Sequence, residues 1–202
     1  MARMSAAERR DKLIDAAITV MSRDGVAHGT TRAIVAEAGM QIGVFHYCFR
    51  SKDELIGEVA RTINKRSFGA VEEVLARTDD PGELIRGCLD AYWQHVLKDP
   101  LEALLIFELT HFSLRQPGWE SAARASRTGN IESVQALLAV VAGKAAFEWR
   151  SPVDVLARYV LATIEGITFQ WVVHRDVAWA EELFGQLVHH LYDEAGLTSS
   201  LR

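Results

Sequence analysis

Residues 31–56 read TRAIVAEAGMQIGVFHYCFRSKDELI, and the reading of this stretch decides the fold. Ile34, Val35 and Ala38 fall on one side of a short helical run, and Thr31 ahead of them can accept a bond from a free amide at the helix start. Gly39 stands where that run must stop, because glycine takes up the left-handed backbone of such a stop without steric cost. After a turn of about three residues, a length typical of helix-turn-helix motifs, the pattern predicts a second helix over 42–48. Within it Val44, Phe45 and Cys48 face inward, while Ile42, His46 and Tyr47 stay outside. Ser51 opens the next helix and, with Glu54 three residues on, has the spacing of a capping box. Two short helices around a glycine turn also fit an ordinary helical hairpin, so spacing alone leaves both readings open.

Upstream, Leu13, Ile14, Ala17, Ile18 and Met21 recur at helical spacing, and Gly25 closes that helix. It packs across the two short helices to make a three-helix core, since two short helices bury too little surface alone. Taken together, residues 9–56 resemble the DNA-binding domain of the TetR family of bacterial transcriptional repressors. The resemblance rests on Leu13-Ile14 with Ala17, Gly25, Thr30-Thr31-Arg32, Ala38-Gly39, Gly43, Phe49, Ser51-Lys52 and Leu55, and spans about a quarter of the chain. The family pattern usually has a small residue where Val35 stands, serine where Gln41 stands, tyrosine at 46, and histidine or tyrosine at 48; this chain has His46 and Cys48.

The start of the 42–48 helix would point into the major groove of DNA. Gln41 can pair with adenine in two-point fashion, and Ile42 and Val44 can touch a thymine methyl. Gly43 lets the backbone approach closely, and His46 and Tyr47 can bond phosphates or base edges. Thr31, Arg32 and Lys52 are the expected phosphate contacts, because hydroxyls and cations near helix ends position a duplex without reading it. The resemblance implies that these matching positions are used in this way.

The net charge of −5 over 202 residues argues against a nucleic-acid binder only when taken globally. Residues 1–66 hold 11 Lys and Arg against 8 Asp and Glu, a net of +3, which leaves 11 against 19, a net of −8, for the rest. A basic front and an acidic back suit two roles. Two cysteines, Cys48 and Cys88, make neither a disulfide framework nor a zinc spacing. The N-terminus has no apolar segment of the targeting kind, and no apolar run reaches the ~20 residues that span a bilayer, so a cytoplasmic protein without membrane contact is expected. No phosphate-cradling glycine loop and no nucleophile elbow occurs, so no enzyme, cofactor or metal is predicted. His189 and His190 are adjacent and point about 100° apart on a helix, poor geometry for one metal.

Beyond residue 50 the chain continues as helices. Asp79-Asp80-Pro81-Gly82, Asp99-Pro100, Gln116-Pro117-Gly118 and Ser151-Pro152 break them, and no stretch alternates with a period of two. The expected architecture is all-α with about nine helices: a helix-turn-helix DNA-binding domain over 1–50, and a helical effector-binding and dimerisation domain over 51–202. The helix over 101–114 is apolar on most faces and should be central in the back domain. It carries Glu108 and His111 three apart, a spacing that suits a bond to each other, two ligands to one metal, or contact with a bound molecule. With Trp93, Phe107 and Phe112 as apolar walls, these residues are expected to hold a largely apolar or aromatic small-molecule effector. A homodimer is expected through the last two helices, using Val153, Leu156, Val160, Ile164, Ile167 and the close approach at Gly166 on one, and Leu183, Leu187, Val188 and Leu191 on the other. The expected function is a repressor that binds palindromic operator DNA and is released by its effector. The competing reading is a helical small-molecule-binding or catalytic protein without DNA binding.

Overall fold

The computed structural model describes residues 4–116 and 120–197. Among these residues there are nine α-helices and no strand: α1 (Ala6–Asp24), α2 (Thr31–Glu37), α3 (Ile42–Cys48), α4 (Lys52–Arg77), α5 (Pro81–Lys98), α6 (Pro100–Arg115), α7 (Glu120–Ala145), α8 (Val153–His174) and α9 (Val177–Glu194). Local chemistry sets their ends. Ser5 and Glu8 cap α1 reciprocally, with Glu8 N–H donating to Ser5 Oγ at 3.1 Å and Ser5 N–H to Glu8 Oε2 at 2.6 Å. Gly25 ends that helix with φ of 86°, a value side chains resist, and Gly39 closes α2 with φ of 64°. Asp80 caps α5, with Pro81 in the first turn where its missing N–H costs nothing. Asp176 caps α9.

Two starts differ from the sequence expectation. Thr30, not Thr31, caps α2, its hydroxyl accepting from Ala33 N–H at 3.2 Å, because a short 3₁₀ turn (Val26–His28) uses up the chain after Gly25. Ser51 caps α4 as expected, accepting from Glu54 N–H at 3.1 Å, but Glu54 reaches back to Arg50 N–H at 2.9 Å rather than to the amide of Ser51.

The packing forms two compact units. The first comprises residues 1–65 and 101–126, so it is larger than the segment that carries the motif. Its core joins Leu13, Ala17 and Met21 of α1, Ile34 and Val35 of α2, Phe45 of α3 with Phe49 just after it, Leu55 and Val59 of α4, and Leu105 and Leu109 of α6. Helix α6 therefore belongs with the helix-turn-helix and is not the centre of the back unit. Its buried line is narrow, Glu102, Leu105 and Leu109, while Leu101 and Leu114 stay exposed. An apolar sequence on several faces could not say which neighbour it would meet.

The second unit comprises residues 66–100 and 127–202, built on α5, α8 and α9. Tyr192 donates to Gly82 O at 3.0 Å and ties α9 to the start of α5. Lys144 of α7 pairs with Asp79 at 2.6 Å. The residues expected at a dimer face lie inside this unit. Leu156, Val160, Ile164 and Ile167 of α8 and Leu187, Val188 and Leu191 of α9 are buried in the single chain, and Val153 and Leu183 are half-buried. The buried ones among these side chains pack within their own chain. The outward line of α8 is a different one, Val155, Tyr159, Ala162, Gly166, Phe169 and Val173, all exposed.

Candidate nucleic-acid interface

Helix α3 owes its orientation to Phe45, which is 2% exposed and packs against Phe49 at 5.6 Å between ring centroids. That anchor turns the opposite face outward. Tyr47 is 72% exposed and Ile42 45%, and Gln41, Gly43 and His46 are exposed beside them. His46 sits edge-on to Phe45 at 5.6 Å. Val44 is half-buried against the core, which leaves it the least available of the expected base contacts. Arg32 is exposed, while Thr31 and Lys52 are half-buried.

Sequence reading missed what holds α3 in place. The Arg10 guanidinium of α1 donates to Cys48 O, the last residue of α3, at 2.5 Å, to Glu54 Oε1 at 2.9 Å and to Glu58 Oε1 at 2.7 Å. It also lies over the Phe49 ring at 4.2 Å. One side chain thus bonds the end of the exposed helix, the start of α4 and the ring between them. The Arg50 amide, and then Arg10, hold the Glu54 carboxyl below its ordinary range, against a smaller opposing effect of burial. These contacts join residues about 40 positions apart, and no local spacing announces them.

The residues expected to anchor an effector are divided between the two units. Glu108 lies in the first unit, where Oε2 accepts from Val26 N–H at 3.1 Å, so its carboxylate closes the 3₁₀ turn ahead of α2. His111 is exposed and does not bond Glu108. Phe107 and Phe112 are half-buried on the same helix, and Phe112 packs against the first unit's core. Trp93 belongs to the second unit. There it is 3% exposed, edge-on to Trp171 at 5.2 Å and tilted against Phe184 at 5.1 Å. The indole Nε1 atoms of Trp93 and Trp171 are both buried without an acceptor from the protein. Beside them Tyr92 Oη and Thr168 Oγ1 are 3.3 Å apart, and burial pushes the Tyr92 phenol up to about 12. Arg127 holds Glu165, one turn before Thr168, in a two-point ion pair. No group of three or more His, Cys, Asp or Glu that could hold a metal exists among the described residues.

A helix-turn-helix of α2 and α3 backed by α1, with α3 exposed, together with a second all-helical unit, defines a helix-turn-helix regulator. Residues 13–59 match the family model for bacterial regulatory proteins of the tetR family. The chain is 28% identical over 195 residues to the HTH-type nicotine-responsive transcriptional repressor HdnoR of Paenarthrobacter nicotinovorans, covering 96% of this chain and all of that one. It is 30% identical to the multidrug binding protein EbrR, solved with imidazole, with a TM-score of 0.62 over 89% of this chain and 94% of that one. EbrR has also been solved with ethidium, at 28% identity and a TM-score of 0.65. A TetR transcription regulator from Haloarcula marismortui shares the fold at 16% identity, with a TM-score of 0.74 over 93% of this chain and 98% of that one. The chain belongs to the TetR family of bacterial regulatory proteins.

Proposed function

We infer that this protein is a ligand-responsive transcriptional repressor that binds operator DNA as a two-fold dimer. The observation that carries the reading is the outward face of α3: Gln41, Ile42, Gly43, His46 and Tyr47 are exposed together on a helix locked from behind by Phe45. That face fits the major groove, with Gln41 and Ile42 toward base edges and Thr31, Arg32 and Lys52 toward phosphates. The dimer uses the outward line of α8, from Val155 through Gly166 to Val173, whose spacing of three and four residues makes one continuous stripe. Two-fold symmetry sets the two recognition helices about 34–36 Å apart, or a multiple of that.

The effector is a small nitrogen-containing aromatic molecule. Two relatives that span nearly the whole chain support this class: one is nicotine-responsive by name, and the other was solved with imidazole and with ethidium. The aromatic cluster of Trp93, Trp171, Phe184 and Tyr92 in the second unit supports it chemically, because flat rings and unpaired indole donors suit a planar heterocycle. The protein works in the cytoplasm and catalyses no reaction; no helix among the described residues is long and apolar enough to cross a membrane.

Gel shifts on a duplex selected from a random pool test the reading. Binding should weaken steeply with salt, and nicotine, imidazole or ethidium should release the duplex. Failure to bind any duplex refutes the repressor reading. Binding that none of the three molecules alters refutes the effector class alone.

A further inference from the structure

Arg9 and Arg10 are neighbours on α1 with opposite circumstances. Arg10 is fully engaged, with Cys48 O, Glu54, Glu58 and the Phe49 ring as partners. Arg9 has no carboxylate. Its Nε is buried without an acceptor, and its guanidinium carbon lies 5.7 Å from the centroid of the Tyr47 ring. The side chain is half-buried, and its terminal nitrogens are not among the buried unpaired atoms. Tyr47 in turn is the most exposed large hydrophobic side chain of α3. A buried guanidinium nitrogen without an acceptor is costly. The folded chain could avoid that cost by turning the flexible side chain into solvent, yet it lays the charge against the recognition helix.

We propose that Arg9 is a DNA-binding residue: lying within cation–π distance of Tyr47, it takes a backbone phosphate of the duplex beside the groove that α3 enters. The flat guanidinium suits both contacts, one face on the aromatic ring and the N–H edge toward phosphate oxygens. The same contact gives the exposed Tyr47 ring a charged neighbour. Arg9 thus supplies charge where α3 itself has only His46 and Tyr47, and it does so from a different helix. The proposal rests on the DNA-binding reading and adds a contact that the motif alone does not contain.

The test is the salt dependence of binding, measured on a selected duplex and on an unrelated duplex of equal length. Each phosphate contact contributes about 0.9 to the slope of log affinity against log salt. Arg9→Gln should therefore lower the slope by about 0.9 for each bound subunit and weaken both duplexes by the same factor, since phosphates carry no sequence. Arg9→Lys keeps the charge but not the flat face, so it should keep the wild-type slope and bind about two- to fivefold more weakly. In a Tyr47→Ala background, Arg9→Gln should cost less than in wild type. A wild-type slope in Arg9→Gln overturns the proposal. So does an equal loss of slope in Arg9→Lys, which would mean that the side chain only shapes α3. Absence of binding by the wild-type protein would instead bring down the DNA-binding reading itself, and this proposal with it.

Discussion

At the scale of single residues, the decisive side chains are those that hold the motif rather than those that face DNA. Arg10 satisfies the last carbonyl of α3 and two carboxylates, with its side chain 29% exposed. Arg10→Met should lower stability by about 1–3 kcal/mol, the usual cost of losing bonds to charged groups, and should weaken DNA binding more than exposed-residue changes of equal stability cost. Chemical denaturation and gel shifts on the same samples check both. Glu54 gives a pH signature. Its folded-state carboxyl lies below the ordinary value of 4.5, so its contribution is present at neutral pH and is lost as pH falls below that value. Glu54→Gln should melt earlier than wild type at pH 7, and the gap should narrow as the solution is acidified. Thermal melts across that range measure it, and a gap independent of pH would contradict the assignment. Glu108 has a partner that its spacing from His111 did not announce. Its carboxylate serves the Val26 amide, so Glu108→Ala should destabilise the first unit by about 1–3 kcal/mol. Glu108→Gln, which keeps an acceptor, should recover most of that, and effector affinity measured by calorimetry should change in neither variant.

At the scale of elements, periodicity was a reliable guide to where helices lie and a poor one to what they meet. The bounds of α3 match the sequence reading because a glycine turn and a serine cap bracket it, and its inward and outward faces follow from one bulky anchor, Phe45. Helix α8 shows the limit. It carries two apolar lines, one through Leu156, Val160, Ile164 and Ile167 and another through Val155, Tyr159, Phe169 and Val173. Both recur at helical spacing, and hydropathy cannot rank them; only the position of α9 and α5 determines which line is taken inside. The exposed line predicts the oligomer. Phe169→Glu should convert a dimer to a monomer at micromolar concentration in sedimentation experiments, with helix content by circular dichroism unchanged. A variant that stays dimeric would place the interface elsewhere. For α6 the sequence signal failed for the same reason, and there Glu108 was a better clue, because its carboxylate meets the Val26 amide.

At the scale of the whole molecule, the first unit is discontinuous. Its core over 1–65 is finished by Leu105 and Leu109, which are 1% and 3% exposed and lie at the far end of an intervening segment that packs elsewhere. Leu105→Ala should therefore cost about 2–5 kcal/mol, and the cost should register in the DNA-binding unit. Hydrogen exchange should accelerate at amides of α1 and α2, whereas a change confined to α5, α8 and α9 would refute the grouping. The same discontinuity bears on how the protein is made. Synthesis proceeds at about 5–20 residues per second, so roughly 2–9 s separate the emergence of residue 65 from that of Leu109. During that interval the nascent three-helix segment presents the apolar seat of α6 to whatever binds unfinished chains, and the repressor cannot complete its DNA-binding unit until half of the chain has left the ribosome.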